Sequence, residues 1–162
     1  MRVRSFLALA SLCAVAAACE NDPIGSGCRD VTNTTASTRG DTVITATGLR
    51  YLNLTVGSGA TVESCRGVAV RYVGRLENGA VFDSVPTNAY YPFRPGVEPL
   101  IAGFEQGVVG MKEGGVRRLI IPASLGYGAA AQQARGGFSG IPANSTTIFD
   151  ITVIEVEPQS GS

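Results

Sequence analysis

A carboxylate and a set of aromatic rings are the side chains that offer chemistry in this chain of 162 residues. Asp83 follows Val81 and Phe82 directly in the stretch AVFDSV. A carboxylate beside a buried ring is costly unless hydrogen bonds compensate it. Acid–base or triad chemistry would pair such an Asp with a His, but the chain contains none. The sequence therefore excludes a His-activated nucleophile.

The remaining charged residues point to no other reaction. Glu98, Glu105 and Glu113 flank a predicted helix, but their spacing does not converge on Asp83, so we interpret them as a solvated face. Phosphate-binding and dinucleotide-binding signatures are absent. Two of the four Cys residues lie in the N-terminal segment up to Cys19, and the other two, without a His, are too few for a structural zinc site. We expect no metal and no cofactor. Thirteen basic and thirteen acidic residues cancel, which argues against a nucleic-acid partner.

Apolar and aromatic residues are instead concentrated near predicted loops. A buried core would explain this concentration, and so would a ligand-binding cavity lined by the same side chains. The residues concerned are Tyr72, Phe82, Tyr91, Phe93, Phe104, Tyr127 and Phe149.

Alternating hydrophobicity predicts the strands that must position these residues. VAVRYVGRL and AVFDSV form a predicted hairpin around Glu77-Asn78-Gly79. GLRYLNLTVG, GGVRRLIIP and TTIFDITVIEVEP are further strands, and the last belongs in the sheet centre because it is apolar on both faces. The segment EPLIAGFEQGVVGM predicts one short helix. The predicted fold class is α+β, a twisted antiparallel half-barrel of about five strands wrapped around that helix.

The N-terminus MRVRSFLALASLCAVAAAC has the pattern of an export signal, with an apolar run shorter than the about 20 residues of a membrane helix. Its small residues fit cleavage after residue 18, whereas AAAC before ENDP fits a lipobox that makes Cys19 an acylated first residue. We expect a signal peptide over residues 1–18 and a protein on the periplasmic side of the envelope. Glu20 lacks the Asp associated with inner-membrane retention, which favours an outer-membrane anchor.

A polar segment rich in Thr, Gly and Ser follows, and it predicts a flexible tether over residues 19–47. If Cys19 carries lipid, Cys28 and Cys65 remain as a pair after loss of the signal. They predict a disulfide in an oxidising compartment, and two free thiols are the alternative. The domain is expected over residues 48–157, followed by a short tail over residues 158–162.

The order of motifs resembles the FKBP-type peptidyl-prolyl cis-trans isomerases over roughly residues 48–157. It runs VRYVGRLENGAVFDSV, then PLIAGFEQGVVGMKEGGVRRLIIPASLGYG, then GIPANSTTIFDITVIEV. The resemblance implies rotation about Xaa-Pro bonds, which transfers no proton and so needs no His. It implies Xaa-Pro polypeptides and macrolide inhibitors as partners, a monomer, and membrane contact only through a lipidated Cys19. The alternative is a non-catalytic module of the same fold that holds Pro-containing or unfolded segments.

Site residues follow from the same resemblance, position by position. It implies that the backbone amide of Ile101, at the helix start, bonds a substrate carbonyl. The implied catalytic residues are Tyr72, Phe82, Asp83, Ile101, Tyr127 and Phe149, and the implied substrate-binding residues are Tyr91, Phe93, Leu100, Phe104 and Ile141.

The chain departs from the family pattern at two places. Phe104 occupies the pocket floor where an indole often sits, which implies a roomier floor. The Arg that holds the Asp in some members is also missing before Tyr91. Three neighbours are candidates for that role towards Asp83, namely Tyr72, Tyr127 and Arg94.

Overall fold

Eight strands and one α-helix make up the regular structure of the residues described by the computed structural model, which are 27–31, 36–39 and 41–158. The predicted signal peptide, Cys19, Glu20 and residues 159–162 of the tail lie outside them. No helix among the described residues is long and apolar enough to cross a membrane. The elements are β1 (Ala36–Arg39), β2 (Thr42–Thr45), β3 (Arg50–Thr55), β4 (Val68–Leu76), β5 (Val81–Ser84), β6 (Tyr91–Phe93), α1 (Ala102–Val108), β7 (Val116–Ile121) and β8 (Thr147–Val156), with a 3-10 turn at Ala123–Leu125.

A single antiparallel sheet runs in the order β1-β2-β3-β7-β8-β4-β5, and β6 pairs with the start of β4. Strand β8 lies between β7 and β4, as its apolar sequence predicts, and pairs with β4 from Val68↔Val156 to Leu76↔Thr147. The prediction of an antiparallel sheet around one short helix is confirmed. The strand count is higher than predicted because β1, β2 and β6 add to the five predicted strands.

A β-hairpin occupies part of the predicted tether. Strands β1 and β2 pair with each other, and β2 continues the sheet against β3. The structure therefore differs from the predicted flexible tether at residues 36–39 and 42–45, which form strands. Their Thr, Val and Ile residues are β-branched and favour strands, while polar side chains suit a position at the sheet edge.

A disulfide attaches the described N-terminal residues to the domain. Cys28 and Cys65 are bonded, as predicted, with a Cα–Cα distance of 5.8 Å. Because 37 positions separate the two cysteines, the chain-entropy model gives a stabilisation of about 4 kcal/mol. Residues 28–31 are thus held against the fold, which further shortens the segment that the tether prediction covers.

Glycines let helix α1 approach the sheet closely. Phe104 and Val108 turn into the core, where they are 4% and 0% exposed. A Cβ atom on Gly103 would lie 2.4 Å from the side chain of Ile121, and one on Gly107 would lie 2.3 Å from that of Leu119. The helix therefore rests on β7 with no room for a methyl group at either contact.

Arg117 of β7 closes the C-terminal end of the helix. Its guanidinium donates to the Gly107 carbonyl over 2.7 Å and to Asn53 Oδ1 over 2.7 Å, and it lies 4.2 Å from the Tyr51 ring centre. Burial lowers the pKa of Arg117 from its ordinary value. A cation at a helix C-terminus satisfies orphan carbonyls and opposes the negative end of the helix dipole.

Glu105 is buried, which corrects the interpretation of the helix glutamates as one solvated face. It is 2% exposed, accepts a hydrogen bond from the Gly96 amide over 3.0 Å, and pairs with Arg29 over 3.2 Å. The helical spacing of the glutamates could not predict this ion pair, because Arg29 is 76 positions away in the sequence.

Substituting Gly107 by Ala tests the close helix contact. An Ala is ordinarily favoured in a helix by about 1 kcal/mol over Gly. Here we expect a net destabilisation of about 1–3 kcal/mol, because the new methyl group overlaps Leu119 in a filled core. Urea unfolding measures it, with Ala102→Gly at the exposed helix start as the propensity control. A Gly107→Ala protein more stable than the parent would contradict this contact.

Candidate active site

A cavity of about 290 Å³ opens where the concave face of the sheet meets the start of helix α1. It draws residues from β4, β5, β6, β8, the helix and the loops around it. The lining residues are Tyr72, Asp83, Tyr91, Pro99, Leu100, Ile101, Phe104, Tyr127 and Phe149.

Aromatic rings form the floor and wall of this cavity by edge-to-face contacts. Tyr72 of β4 contacts Tyr91, Phe104 and Phe149 with ring-centre distances of 6.2, 5.5 and 5.8 Å. Phe104 and Phe149 meet each other at 5.3 Å. Such contacts stabilise a pair by about 0.5–1.5 kcal/mol beyond the area that they bury. The cavity therefore has a fixed aromatic shape built from four separate elements.

Three predicted site residues lie behind the lining rather than in it. Phe82 is buried and contacts Phe149 at 5.3 Å and Tyr127 at 5.9 Å. Phe93 is buried against Tyr91 and Phe104, at 5.8 and 5.6 Å.

The third is Ile141, which is 4% exposed and pairs with Gln132 across the long loop. The resemblance implied that Phe82, Phe93 and Ile141 would form the pocket itself. In the structure all three belong to the buried core and are not among the described residues that line the cavity, so their role in substrate binding stays a prediction.

Asp83 receives its hydrogen bond from Tyr72, which decides among the three candidate partners. The Tyr72 hydroxyl donates to Asp83 Oδ2 over 2.7 Å. Arg94 instead pairs with Glu157 at 3.7 Å. The Asp83 carboxylate therefore has a compensating donor on the neighbouring strand β4, at the rim of the cavity.

Both tyrosines at this rim remain protonated phenols at neutral pH. Burial raises the pKa of Tyr72 far above its usual range, and the hydrogen bond to Asp83 raises it further. Burial also raises the pKa of Tyr127, with the nearby Asp83 charge as a second cause. Each hydroxyl is thus a hydrogen-bond donor and a poor proton source.

Ile101 presents a backbone donor at the helix start. It is the N-cap of α1, with φ −65° and ψ 135°, and its own carbonyl accepts from the Phe104 amide over 2.9 Å. The Ile101 N–H makes no hydrogen bond to any residue that the structure describes. Because Ile101 lines the cavity, its unpaired amide is suited to bind a carbonyl oxygen there.

Two contributors were not identified as site residues from the sequence. Pro99 lines the cavity, although it was recognised only as a helix-start residue. Gly74 lies beneath the wall, where a Cβ atom would meet the Phe82 ring at 2.7 Å and the Phe149 ring at 3.0 Å. A Gly inside a strand that is otherwise apolar signals such a close approach.

A second, larger cavity of about 450 Å³ lies on the other side of β6. It is lined by Glu98, Glu155 and Glu157 together with Arg94 and Tyr90, so its polar groups have mixed charge. Arg94 already pairs with Glu157, and its amide donates to Glu98 over 2.6 Å. The smaller aromatic cavity is the better candidate site because it combines apolar walls with a few convergent polar groups.

Comparison with known proteins agrees with this geometry. The profile of the family described as FKBP-type peptidyl-prolyl cis-trans isomerase matches residues 54–154. The chain belongs to this family. The lining side chains of the cavity all lie inside the matched range.

Relatives and solved structures of this family cover most of the domain. FK506-binding protein 4 of Gibberella zeae is 44% identical over 110 residues, which are 68% of this chain and 21% of that protein. FK506-binding protein 3 of Candida albicans is 44% identical over 63% of this chain and 22% of its own length. The chain thus spans about a fifth of the length of these relatives.

Among solved structures, AtFKBP13 shares 36% identity with a TM-score of 0.63, covering 70% of this chain and 97% of its own. FkpA from Escherichia coli shares 34% identity with a TM-score of 0.63, covering 74% of this chain and 53% of its own.

Alkaline unfolding tests the buried phenols. Because the folded-state pKa values of Tyr72 and Tyr127 are raised, the unfolded chain ionises first as the pH increases. Their contribution is fully present below about pH 10, the ordinary tyrosine pKa, and we expect the free energy of unfolding to decline above it. Urea titrations at a series of pH values measure the decline, which Tyr72→Phe should make shallower. An equal decline in both proteins would contradict this assignment.

Proposed function

We propose that this protein is a peptidyl-prolyl cis-trans isomerase that binds the proline of an Xaa-Pro segment in the aromatic cavity. One observation carries the proposal: aromatic rings from several strands and the helix converge on a small cavity in which the Tyr72 hydroxyl satisfies the Asp83 carboxylate, while the Ile101 amide makes no hydrogen bond to any described residue. Among the described residues, Asp83 is the only carboxylate in the lining. The cavity therefore suits binding and orientation rather than proton transfer.

The reaction to be accelerated is rotation about a partial double bond, with a barrier near 20 kcal/mol. At the twisted geometry the amide loses its resonance, so its carbonyl is less dipolar than in the planar amide. An apolar cavity disfavours the planar form more than the twisted one, which lowers the barrier. A millionfold acceleration would need about 8 kcal/mol of differential stabilisation.

Named groups would orient the substrate in this cavity. The Ile101 amide would donate to a substrate carbonyl, and the Tyr127 hydroxyl would provide a second donor from the loop that follows the 3-10 turn. Tyr72, Phe104 and Phe149 would enclose the proline ring. The volume of about 290 Å³ lies just below the range of about 300–1,000 Å³ typical of ligand pockets, so it fits a group the size of one residue.

Macrolide binding at the same cavity is part of the proposal. Relatives bear the name FK506-binding protein. Phe104 provides a smaller floor surface than an indole, so a macrolide here would bury less area against the floor than where the family has Trp. Such a ligand would compete with Xaa-Pro peptides.

We further propose that the protein is exported and acts as a monomer on the periplasmic side of the envelope. The apolar N-terminal run and the AAAC sequence support cleavage before Cys19 and its acylation, with the outer membrane as the destination. The Cys28–Cys65 disulfide supports an oxidising compartment. The substrates would then be exported polypeptides that contain Xaa-Pro bonds.

NMR exchange spectroscopy of an Xaa-Pro peptide tests the activity. We expect the wild-type protein to speed cis/trans exchange, and Tyr127→Phe to lower kcat/KM by about two- to tenfold, the effect of one lost hydrogen bond. Peptide binding without faster exchange would reject the enzyme and favour a binding module of the same fold.

The variant Asp83→Asn tests whether Asp83 acts as a general acid. Its amide oxygen still accepts from Tyr72, so we expect a loss of less than about tenfold, whereas removing a true general acid costs about 10²–10⁴. The pH profile of both proteins should show no bell shape between about pH 6 and 9. A hundredfold loss with a titrating limb would contradict catalysis by binding alone.

Mass spectrometry of the mature N-terminus tests the anchor. We expect a chain that begins at Cys19 and carries fatty acyl groups, and we expect Cys19→Ser to abolish the modification and release the protein from membranes. Cys28→Ser is the control, because that residue lies in the disulfide. An unmodified terminus after residue 18 would reject the lipoprotein and leave a secreted form.

A further inference from the structure

Residues 28–31 lie across the outside of the domain, next to the loop that leads into the cavity. We call residues 28–31 the strap. Its first residue is disulfide-bonded to Cys65, whose amide donates to the Pro95 carbonyl over 2.8 Å. Its last residue, Val31, donates its amide to Ser64 Oγ over 3.1 Å. The strap is thus attached to the fold at both ends.

Arg29, in the middle of the strap, belongs to a closed ring of three residues. Its amide donates to the Gly96 carbonyl over 3.1 Å, and the Gly96 amide donates to Glu105 Oε1 over 3.0 Å. The Arg29 guanidinium then lies 3.2 Å from Glu105 Oε2. Each residue contacts the other two, so the ring joins the strap, the loop and helix α1.

The close approach at Gly96 requires a glycine. Its φ is +87°, a value that side chains rarely allow. A Cβ atom there would lie 2.2 Å from the Arg29 carbonyl oxygen. The contact between strap and loop is therefore made backbone to backbone, with no side chain between them.

Two members of this ring of hydrogen bonds, Gly96 and Glu105, lie close in the chain to residues that line the cavity. The loop runs from Gly96 to Ile101, the unpaired amide donor, while Glu105 directly follows Phe104 of the floor. Glu105 is 2% exposed, and a buried carboxylate needs a counter-charge. The Arg29 side chain is 62% exposed, so solvent screens part of the attraction.

We propose that Arg29 is a positioning residue: by neutralising the buried Glu105 it fixes the loop from Gly96 to Ile101, and so sets the Ile101 amide for the substrate carbonyl. Its catalytic consequence rests on the proposed isomerase function. Without Arg29, Glu105 would turn towards water and release the Gly96 amide. Substrate binding would then have to order the loop, which raises KM more than it lowers kcat.

Four variants of the full-length protein test this role by exchange kinetics and by the amide resonances of Gly96 and Ile101. For Arg29→Ala we expect KM for an Xaa-Pro peptide to increase about fivefold with kcat within about twofold, and both amides to shift. Arg29→Lys should recover most of the affinity because it restores the charge. Arg29→Ala combined with Glu105→Gln should recover it too, because the neutral amide still accepts from Gly96 without a counter-charge.

Arg118→Ala is the matched control. It also removes an Arg from a carboxylate pair, with Asp150 at 2.6 Å, but on β7 away from the cavity, and it should leave KM and both amides unchanged. Parental KM and amide shifts in Arg29→Ala would overturn the proposal. So would a double variant as impaired as Arg29→Ala, since charge neutralisation would then not be the route.

The amide readout separates this inference from the proposed function. A wild-type protein that does not accelerate exchange would reject the isomerase, and the Gly96 and Ile101 resonances would still decide whether Arg29 positions the loop. A catalytically active protein with unperturbed amides in Arg29→Ala would reject the positioning role alone.

Discussion

The edge-to-face contact between Phe104 of the helix and Phe149 of the central strand is the interaction on which the rest of the site depends. It fixes the helix against the sheet at one point, and Tyr72 completes the triangle from the neighbouring strand. Glycines at 74, 103 and 107 make this approach sterically feasible, because a methyl group at any of them would overlap a core side chain. The shape of the cavity thus follows from how these core side chains pack against each other.

Three of the polar groups in and around this aromatic cluster are paired within the fold. The Tyr72 hydroxyl donates to the Asp83 carboxylate, and Arg117 donates to the Gly107 carbonyl at the helix end. Glu105 forms an ion pair with Arg29. In a site of low dielectric, each of these pairings avoids the cost of an unsatisfied buried group. The Ile101 amide has no partner among the described residues, and under the proposed function it would accept a peptide carbonyl as its partner.

Local pattern was sufficient to predict the strands that carry the site. VAVRYVGRL predicts β4 over its full length, and the doubly apolar β8 is found in the sheet centre. The hairpin of β1 and β2 was not predicted, because the Thr, Ser and Gly residues of its sequence are equally common in linkers. The sequence also did not indicate how deeply each aromatic side chain is buried: Phe82 and Phe93 lie in the core, at 8% and 3% exposure. Glu105 was misjudged because its partner is distant in the sequence, and helical spacing records only near neighbours.

The covalent link between Cys28 and Cys65 has a consequence for protease resistance. It encloses the polar stretch that holds the hairpin of β1 and β2, and exposed polar turns are where proteases usually cut. A cut inside this loop would leave two pieces joined through sulfur, and the piece that carries β4 to β8 would keep every residue lining the cavity. A single cut between the two cysteines would therefore not release the chain that precedes it.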